Sequence, residues 1–333
     1  MSDSPVETLF NVLNESAHIL ENRLSVPYLE AVAMTGENLF SGSIRQNGIG
    51  AHDENRLENL YGTVRLEDFT REQIRKAYQL AILKGMKANV QANHQMTPDS
   101  IGLLMSYFIG KFTEDTSAFS ILDPAVGTGN LLATILNQLS GKNITAYGVD
   151  IDDVLIRLAY TGANLLHHEI ELFTQDALSQ LFIDPVDVVV CDLPVGYYPN
   201  DAGAADYKLK ADEGHSYAHH LFIEQSLRAA RPGGFLFFLI PNGLFETKEA
   251  PKLRQFLKEE ADIQAILQLP MTIFKNEQAA KSIFVIRKKA EDVKAPEQVL
   301  LASLPSLSNE GALRQLMAKI DAWCKENIQS GKI

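Results

Sequence analysis

Two turns carry the residues whose types and spacing could do chemistry. The stretch "ILDPAVGTGNLL", residues 121–132, reads as a buried strand that turns through Gly127 and Gly129 into a helix. Glycine lets the backbone turn sharply and lets a ligand approach it closely. The stretch "VDVVVCDLPVGYYP", residues 186–199, ends a second buried strand in a proline-bearing, aromatic turn. We expect the first turn to hold a cofactor and the second to hold what that cofactor acts on, since ligands settle at the carboxyl ends of strands in doubly wound sheets.

Acidic residues stand at the ends of three successive predicted strands. Asp123 lies in the first turn, Asp150 ends the next strand in "YGVDID", and Asp176 ends the third in "FTQDAL". Asp150 could bridge the two hydroxyls of a ribose, and Asp176 could accept a hydrogen bond from an adenine amino group. One such aspartate could be a helix cap, but three around a glycine turn favour a nucleoside-bearing cofactor. Leu132 occupies the third glycine position of the dinucleotide fingerprint G-x-G-x-x-G, so a nucleotide-dependent dehydrogenase is disfavoured.

The elements that must position these turns alternate between strand and helix from residue 97 onward. A helix over residues 97–112 is predicted to have Thr97 as N-cap and Pro98 at its first position. Continuous runs of Val, Ile, Leu and Phe predict strands buried on both faces, as in a parallel sheet covered by helices. Seven strands are predicted, at residues 119–126, 144–151, 170–176, 186–194, 234–241, 261–270 and 281–289. The last two are joined without a helix and are predicted to pair antiparallel at one edge of this Rossmann-like α/β sheet.

Three parts of the chain are predicted: a helical N-terminal domain over residues 1–93, the α/β domain over 94–290, and a linker with an amphipathic helix over 291–333. Helical spacing of apolar residues supports helices in the first part, whereas the Gly-, Ser- and Asn-rich residues 34–50 are predicted to be loop. The N-terminal helices could be a lid, a dimerisation element or packing alone. The apolar stripe of the C-terminal helix is expected to pack back onto the protein.

Composition narrows the class of protein. The 333 residues carry 30 Lys and Arg against 42 Asp and Glu, a net charge of −12, whereas nucleic-acid binders usually display a basic face. A local basic patch within an acidic total stays open, and residues 286–289, "IRKK", are one basic cluster. No apolar run approaches the ~20 residues of a membrane helix. Two distant cysteines, Cys191 and Cys324, and a start without a secretory pattern favour a cytoplasmic protein. Whether it is a monomer or a homodimer stays open.

The ordered motifs resemble those of class I S-adenosylmethionine-dependent methyltransferases, in particular the N6-adenine DNA methyltransferases that include the modification subunits of type I restriction systems. The resemblance covers about residues 94–288. "HQMTP" precedes the sheet, "DPAVGTGNLL", "GVDID" and "TQDAL" follow in register, and "CDLP" falls where the catalytic tetrapeptide sits. "FLIPNGLF" and "LPMTIF…KSIFVIRK" resemble the late motifs. The resemblance implies S-adenosyl-L-methionine as cofactor and adenine N6 of DNA as the methyl acceptor.

The resemblance also implies roles for particular residues. Thr97 and Pro98 would lie near the methionine end of the cofactor, Asp150 would meet its ribose, and Asp176 its adenine. The remaining implied cofactor contacts are Asp123, Ala125, Gly127, Gly129, Asn130, Ile151, Ala177 and Asp192.

The catalytic tetrapeptide departs from the family pattern of Asp, Asn or Ser, then Pro-Pro, then an aromatic residue. Residues 192–195 read Asp-Leu-Pro-Val. An adenine amino group is a poor nucleophile, and a side-chain oxygen with a backbone carbonyl can orient its lone pair toward the methyl group. Asp192 keeps that acceptor and Pro194 keeps part of the rigidity, but Val195 cannot stack on a flipped base. Tyr197 is predicted to supply the stacking ring, with Tyr198 as the neighbouring candidate.

Three functions therefore stay open. The first is a methyltransferase acting on an amino nitrogen in DNA, or by the same chemistry in RNA, protein or a small amine. The second is a protein that binds the cofactor as a regulator or scaffold without transfer, and the third is the disfavoured dehydrogenase. His215, His219 and His220 resemble a metal cluster in the sequence, but the adjacent pair points in different directions on a helix, so no metal is predicted.

Overall fold

The computed structural model describes residues 4–88, 96–291 and 293–328. Within these ranges the helices are α1 (Pro5–Leu24), α2 (Tyr28–Ser41), α3 (Ala51–Tyr61), α4 (Arg71–Ala88), α5 (Asp99–Phe112), α6 (Asn130–Gln138), α7 (Asp153–Leu166), α8 (Ala218–Ala229), α9 (Ala250–Glu260) and α10 (Glu310–Asn327). The strands are β1 (Ala118–Asp123), β2 (Asn143–Asp150), β3 (Ile170–Thr174), β4 (Val186–Asp192), β5 (Ala230–Pro241), β6 (Ala261–Gln268), β7 (Lys281–Lys288) and β8 (Leu300–Ser303). The alternation of strand and helix confirms the predicted α/β class.

The strands form one mixed sheet in the order β3-β2-β1-β4-β5-β7-β6-β8. Strands β1, β4 and β5 are paired in parallel, whereas β7 is antiparallel to both β5 and β6. The predicted antiparallel pair β6/β7 is therefore present, but β7 lies inside the sheet rather than at its edge. The predicted count of seven strands is wrong by one: β8, within the predicted linker, pairs in parallel with β6. Its four residues are too short to show a period-2 pattern.

The N-terminal helices α1, α2 and α4 share a hydrophobic core with α7, the helix that follows β2. Ser4 accepts a hydrogen bond from the Glu7 N–H and so caps α1, and Pro5 occupies the first helical turn. The buried apolar residues of this core recur at helical spacing: Leu9, Leu13, Ala17 and Leu20 on α1, Ile74, Ala77, Tyr78, Ala81 and Ile82 on α4, and Leu155, Leu158, Leu165 and Leu166 on or beside α7. Burial of these faces is what stabilises the helices.

The loop predicted over residues 34–50 is wrong in its first half, because α2 extends to Ser41. Gly36 lies within that helix, and a Cβ built on it would approach Thr161 Cγ2 on α7 to 2.4 Å. This glycine permits close packing of two helices instead of making a turn. The chain leaves α2 at Gly42, whose φ of 65° is the left-handed conformation that ends many helices.

The C-terminal helix α10 packs back onto the protein as expected. Ile320, Trp323 and Cys324 are buried. The Tyr107 hydroxyl and the Lys111 ammonium, both on α5, bind Asp321 at 2.6 and 3.1 Å. The Phe112 and Trp323 rings lie 6.1 Å apart.

The chain divides into two compact units, described separately below. The first lies within residues 1–102, 126–138 and 148–175, and the second within residues 103–125, 139–147 and 176–333. The predicted division at residues 93/94 falls outside the described residues, as do His94 and Gln95 of the "HQMTP" motif. Among the described helices none is long and apolar enough to cross a membrane.

Candidate functional site

The glycine turn belongs to the first unit and joins the end of β1 to α6. Gly127 and Gly129 have φ values of 55° and 78°, a left-handed region that side chains other than glycine rarely adopt. The Gly129 N–H donates to the Val126 carbonyl at 2.9 Å, and the Val126 N–H donates to the Val149 carbonyl at 2.9 Å. The turn is therefore closed on itself and tied to the end of β2.

The two glycines are needed for different reasons. A Cβ on Gly129 would lie 3.1 Å from the Ala159 Cβ, so this glycine lets the turn pack closely against α7. A Cβ on Gly127 would meet nothing within 4 Å. The backbone of Gly127 thus borders open space, which is what a ligand that approaches the main chain requires.

Asp150 lies at the end of β2, where its carboxylate holds the glycine turn. The Gly127 N–H donates to its Oδ2 at 2.9 Å, and the Asp152 N–H donates to its Oδ1 at 3.0 Å. Each carboxylate oxygen can accept a second hydrogen bond. The neighbouring Ile151 is 72% exposed, an unusual position for a large apolar side chain.

Thr97 and Pro98 precede α5, which begins at Asp99, so Pro98 lies just before the helix and not at its first position as predicted. The Pro98 carbonyl accepts the first helical hydrogen bonds, from the Ile101 and Gly102 N–H groups at 3.0 and 3.2 Å. Thr97 is buried, and its carbonyl accepts a hydrogen bond from the Asn130 amide nitrogen at 3.2 Å. The segment ahead of the sheet and the start of α6 are thereby brought together.

In the second unit, the predicted cofactor residues lie at strand ends or in the turns that follow them. Asp123 ends β1, is 1% exposed, and accepts a hydrogen bond from the Ala125 N–H at 3.1 Å. Asp176 follows β3, and its Oδ1 accepts from the Leu178 N–H at 2.9 Å, while Ala177 beside it is buried.

Tyr198 is bound to Asp176 and is not free to stack on a ligand. Its hydroxyl donates to Asp176 Oδ2 at 2.5 Å, and only 8% of the residue is exposed. Burial and then the Asp176 carboxylate raise the pKa of Tyr198 to about 12. Tyr198 is therefore a buried residue that joins the proline turn to Asp176, not a ring that could stack on an acceptor.

Tyr197 is the exposed tyrosine of the proline turn. It is 62% exposed, and its ring stacks on that of Tyr217 with centroids 5.0 Å apart and an interplanar angle of 18°. The two residues also form an isolated antiparallel bridge, supported by the hydrogen bond from the Ala218 N–H to the Gly196 carbonyl at 2.9 Å. Tyr217 was missed in the sequence, although an aromatic residue directly before a helix was the available signal.

The proline turn begins at Asp192, at the end of β4. The Leu193 N–H donates to the Leu239 carbonyl on β5 at 3.2 Å, and the Leu193 side chain is buried. Pro194 is half-buried, and Val195 is 54% exposed. Leu193 therefore fills space under the turn, while Val195 leaves the position of the family's aromatic residue without a ring.

Lys281 is a second residue that the sequence did not single out. Its ammonium donates to Asp192 Oδ1 at 2.5 Å, and the two side chains are only 20% and 19% exposed. Lys281 is the first residue of the apolar strand β7. A charged residue at the end of a buried strand could have indicated a site residue in the sequence. A half-buried ion pair at the predicted catalytic carboxylate sets the local charge to zero.

The histidines suspected of binding a metal are arranged otherwise. His215 is exposed and lies 3.0 Å from Asp201, whereas His219 and His220 are buried with their rings 4.9 Å apart, edge to face. Burial lowers the pKa of each buried histidine to about 4, so both are neutral at neutral pH. Among the described residues no group of three or more His, Cys, Asp or Glu side chains has a metal-binding arrangement.

The residues of the glycine turn fit a nucleoside-bearing cofactor. Gly127 offers open backbone, and Asp150 offers carboxylate oxygens that suit neighbouring ribose hydroxyls.

Comparisons with known proteins agree with this geometry. Residues 73–320 match the model of the N-6 DNA methylase family, and residues 7–86 match that of the YtxK N-terminal helical domain. Protein YtxK of Bacillus subtilis (strain 168) is 53% identical over 327 residues, which are 98% of this chain and 99% of that protein. A Listeria monocytogenes crystal structure assigned to the class I S-adenosylmethionine-dependent methyltransferases superposes with a TM-score of 0.90 at 47% identity, covering 97% of this chain and 100% of that one.

A more distant relative has a function in its name. The type I restriction enzyme MjaIX methylase subunit of Methanocaldococcus jannaschii is 23% identical over 259 residues, which are 65% of this chain and 46% of that subunit. The chain thus spans less than half of that subunit. The family model covers most of the chain, and the order of motifs in the sequence agrees with it. The chain therefore belongs to the N-6 DNA methylase family.

Proposed function

We propose that this chain binds S-adenosylmethionine and transfers its methyl group to an amino nitrogen, with adenine N6 of DNA as the acceptor. The observation that carries the proposal is the bond from the Gly127 N–H to the Asp150 carboxylate, beside backbone that borders open space. This pairing favours a ligand with a ribose, and the family relationship favours S-adenosylmethionine.

The residues of the glycine turn would bind and orient the cofactor. Asp150 would accept hydrogen bonds from the ribose hydroxyls, and the open backbone of Gly127 would allow close approach. Further contacts are proposed for Thr97, Pro98, Asp123, Ala125, Gly129, Asn130, Ile151, Asp176, Ala177 and Asp192. When bound, the cofactor supplies an electrophilic methyl group on a sulfonium centre.

The residues of the proline turn would orient the acceptor. The amine nitrogen would bond to the methyl carbon as the bond from that carbon to sulfur breaks, and the nitrogen would then release a proton to solvent. Asp192 and the Leu193 carbonyl would accept the amine hydrogens and so direct its lone pair, which is an orientation effect. Pro194 would fix the turn. Tyr197, exposed and supported by Tyr217, would stack on the acceptor ring in place of Val195.

A second function is favoured by the ion pair at Asp192. Lys281 already donates to the carboxylate that an acceptor amine would need, and Val195 lacks a ring. These features suit a protein that binds the cofactor without transferring the methyl group and acts as a regulator or scaffold. They suit equally a methyltransferase for an acceptor in RNA, protein or a small amine.

Calorimetric titration with S-adenosylmethionine and S-adenosylhomocysteine tests the cofactor assignment. We expect both to bind, and we expect Asp150→Ala to weaken binding at least about tenfold, since each charge-assisted bond lost is worth roughly 1.5–3 kcal/mol. Asp153→Ala is the matched control, because it removes an exposed carboxylate three residues away. Unchanged affinity in Asp150→Ala would contradict the assignment of Asp150 to the ribose.

Transfer of a tritiated methyl group separates the two functions. The protein is incubated with labelled cofactor and, in turn, DNA, RNA, protein extract and small amines. Label in DNA that is lost in Asp192→Ala supports the adenine-type enzyme. Cofactor binding without label in any acceptor would support the non-transferring function instead.

A further inference from the structure

Arg75, on α4 of the N-terminal helical domain, is a buried cation that the proposed chemistry does not use. Its side chain is 3% exposed, although the residue lies on a helix whose other buried positions are mostly apolar. Burying a guanidinium is costly unless its donors are all paired. The identity of its partners therefore bears on why it is there.

All five N–H donors of Arg75 have an acceptor. Nε and Nη2 bind the two Glu72 oxygens at 2.9 and 2.7 Å, and Nη1 and Nη2 bind the two Asp99 oxygens at 2.9 and 3.0 Å. The remaining donor of Nη1 binds the Asn130 side-chain oxygen at 2.7 Å. Such a complete set fixes the guanidinium plane.

These partners connect α4 to both segments of the glycine-turn half of the proposed cofactor site. Asp99 directly follows Thr97 and Pro98, and Asn130 directly follows Gly129. Because the Asn130 oxygen accepts from Arg75, its amide nitrogen is turned toward the Thr97 carbonyl, to which it donates at 3.2 Å. Arg75 thus fixes the orientation of Asn130, and Asn130 joins the two segments.

A comparison within the same unit separates this arrangement from ordinary domain packing. Arg157 on α7 forms a two-bond ion pair with Glu37 on α2, at 2.8 and 2.9 Å. That pair also joins the helical domain to the helix after β2, but its two hydrogen bonds involve no residue of the glycine turn or of the segment before α5. Loss of the Arg157–Glu37 ion pair therefore serves as a control for the general effect of removing an arginine ion pair from this unit.

We propose that Arg75 is a positioning residue through which the N-terminal helical domain sets cofactor affinity. Arg75 holds Asn130 and Asp99, and these two residues keep the Gly129 turn and the segment before α5 in the geometry that binds the cofactor. This inference rests on the proposed function. It assigns to the helical domain a role in the cofactor site beyond packing.

The test compares the full-length protein with Arg75→Gln, Arg75→Lys and Arg157→Gln. We expect Arg75→Gln to weaken S-adenosylmethionine binding about tenfold, the equivalent of one charge-assisted bond. Arg75→Lys should fall between, since one ammonium cannot reproduce the fork that binds Asp99 and Asn130 together. Arg157→Gln should change affinity less than about twofold, although it should lower the melting temperature about as much as Arg75→Gln does.

Two further measurements exclude a merely structural role. In a double-mutant cycle, Arg75→Gln should add little to the loss in Asn130→Ala, because Arg75 acts through Asn130. The second measurement is hydrogen exchange in ligand-free protein, at the amides that donate to the Pro98 and Gly129 carbonyls: Ile101, Gly102 and Ala133. Exchange at these amides should be faster than in the wild type in Arg75→Gln but not in Arg157→Gln.

The outcomes distinguish the inference from the function it rests on. Wild-type protein that binds neither S-adenosylmethionine nor S-adenosylhomocysteine would overturn the proposed function and this inference with it. Wild-type binding with unchanged affinity in Arg75→Gln, or equal losses in Arg75→Gln and Arg157→Gln, would overturn the inference alone.

Discussion

At the scale of single residues, Asp192, the carboxylate proposed to orient the acceptor amine, is held by an ion pair. Its side chain is 19% exposed and is paired with the Lys281 ammonium from a strand nearly ninety positions later in the chain. A half-buried charge that loses its partner is penalised by desolvation, whereas loss of both charges removes the penalty and the attraction together. The pair should therefore behave as a unit.

Stability measurements on a double-mutant cycle test this coupling. We expect Lys281→Met to lower the free energy of unfolding by about 1–3 kcal/mol, because it removes the ammonium that binds the mostly buried Asp192 carboxylate. Asp192→Asn combined with Lys281→Met should recover part of that loss. Urea unfolding of the four proteins measures the coupling energy, and strictly additive effects would show that the ion pair contributes nothing in solution.

The site residues divide into those that local pattern could predict and those that it could not. Asp150 was predicted from its place at a strand end beside a glycine turn, and it bonds Gly127. Lys281 and Tyr217 were not predicted, because their partners Asp192 and Tyr197 are brought to them by the fold. Arg75 was overlooked although the sequence held a signal for it. It lies three residues before Tyr78, on the apolar face of α4, where a charged residue is unusual.

At the scale of elements, the boundaries of most strands and helices were predictable because their burial is periodic or continuous. Strand β4, "VDVVVCD", begins at Val186 as predicted and ends two residues before the predicted end. The prediction failed where a residue type had two possible uses. Gly36 was read as a loop former, but its lack of a side chain serves the contact between α2 and α7.

Substitution at Gly36 tests this explanation of α2. An alanine Cβ would come within 2.4 Å of Thr161 Cγ2 and 3.2 Å of Leu165 Cδ1, so the helices must separate or repack. We expect Gly36→Ala to destabilise the protein by about 1–3 kcal/mol, the usual cost of overpacking, although alanine is the better helix former. Gly141→Ala is the control, because a Cβ there meets nothing within 4 Å. A more stable Gly36→Ala protein would mean that α2 does not pack on α7 this closely.

At the scale of the whole molecule, the order of strands and helices was enough to predict a helix-covered α/β sheet, whereas its final edge strand β8 was not predicted. The continuous apolar strands and their helix-linked order restrict the topology to few solutions. Strand β8 has an alternation of half-buried and exposed residues only four long, and it forms because β6 offers it an edge. The division of residues 1–93, 94–290 and 291–333 into parts stays a prediction.

The pH dependence of stability is a property of the whole molecule that follows from its buried histidines. Burial lowers the pKa of His168, His219 and His220 to about 4 each, from an ordinary value of 6.5. Below pH 6.5 the unfolded chain binds protons that the folded chain does not, so the free energy of unfolding rises with pH between about 4 and 6.5. The stabilisation is complete above pH 6.5 and is lost as the pH falls toward 4.

Urea unfolding at several pH values between 4.5 and 7.5 measures that slope, to which each histidine contributes up to about 1.4 kcal/mol per pH unit. The His219 Nδ1 and His220 Nε2 atoms are buried and have no hydrogen-bond partner among the described residues. We expect His219→Leu combined with His220→Leu to reduce the slope, because the double variant removes two rings that take up protons in this pH range only when the chain unfolds. His52→Gln, at a side chain 80% exposed, should leave the slope as it is in the wild type. A double variant with the wild-type slope would mean that these two rings already exchange protons with solvent in the folded protein.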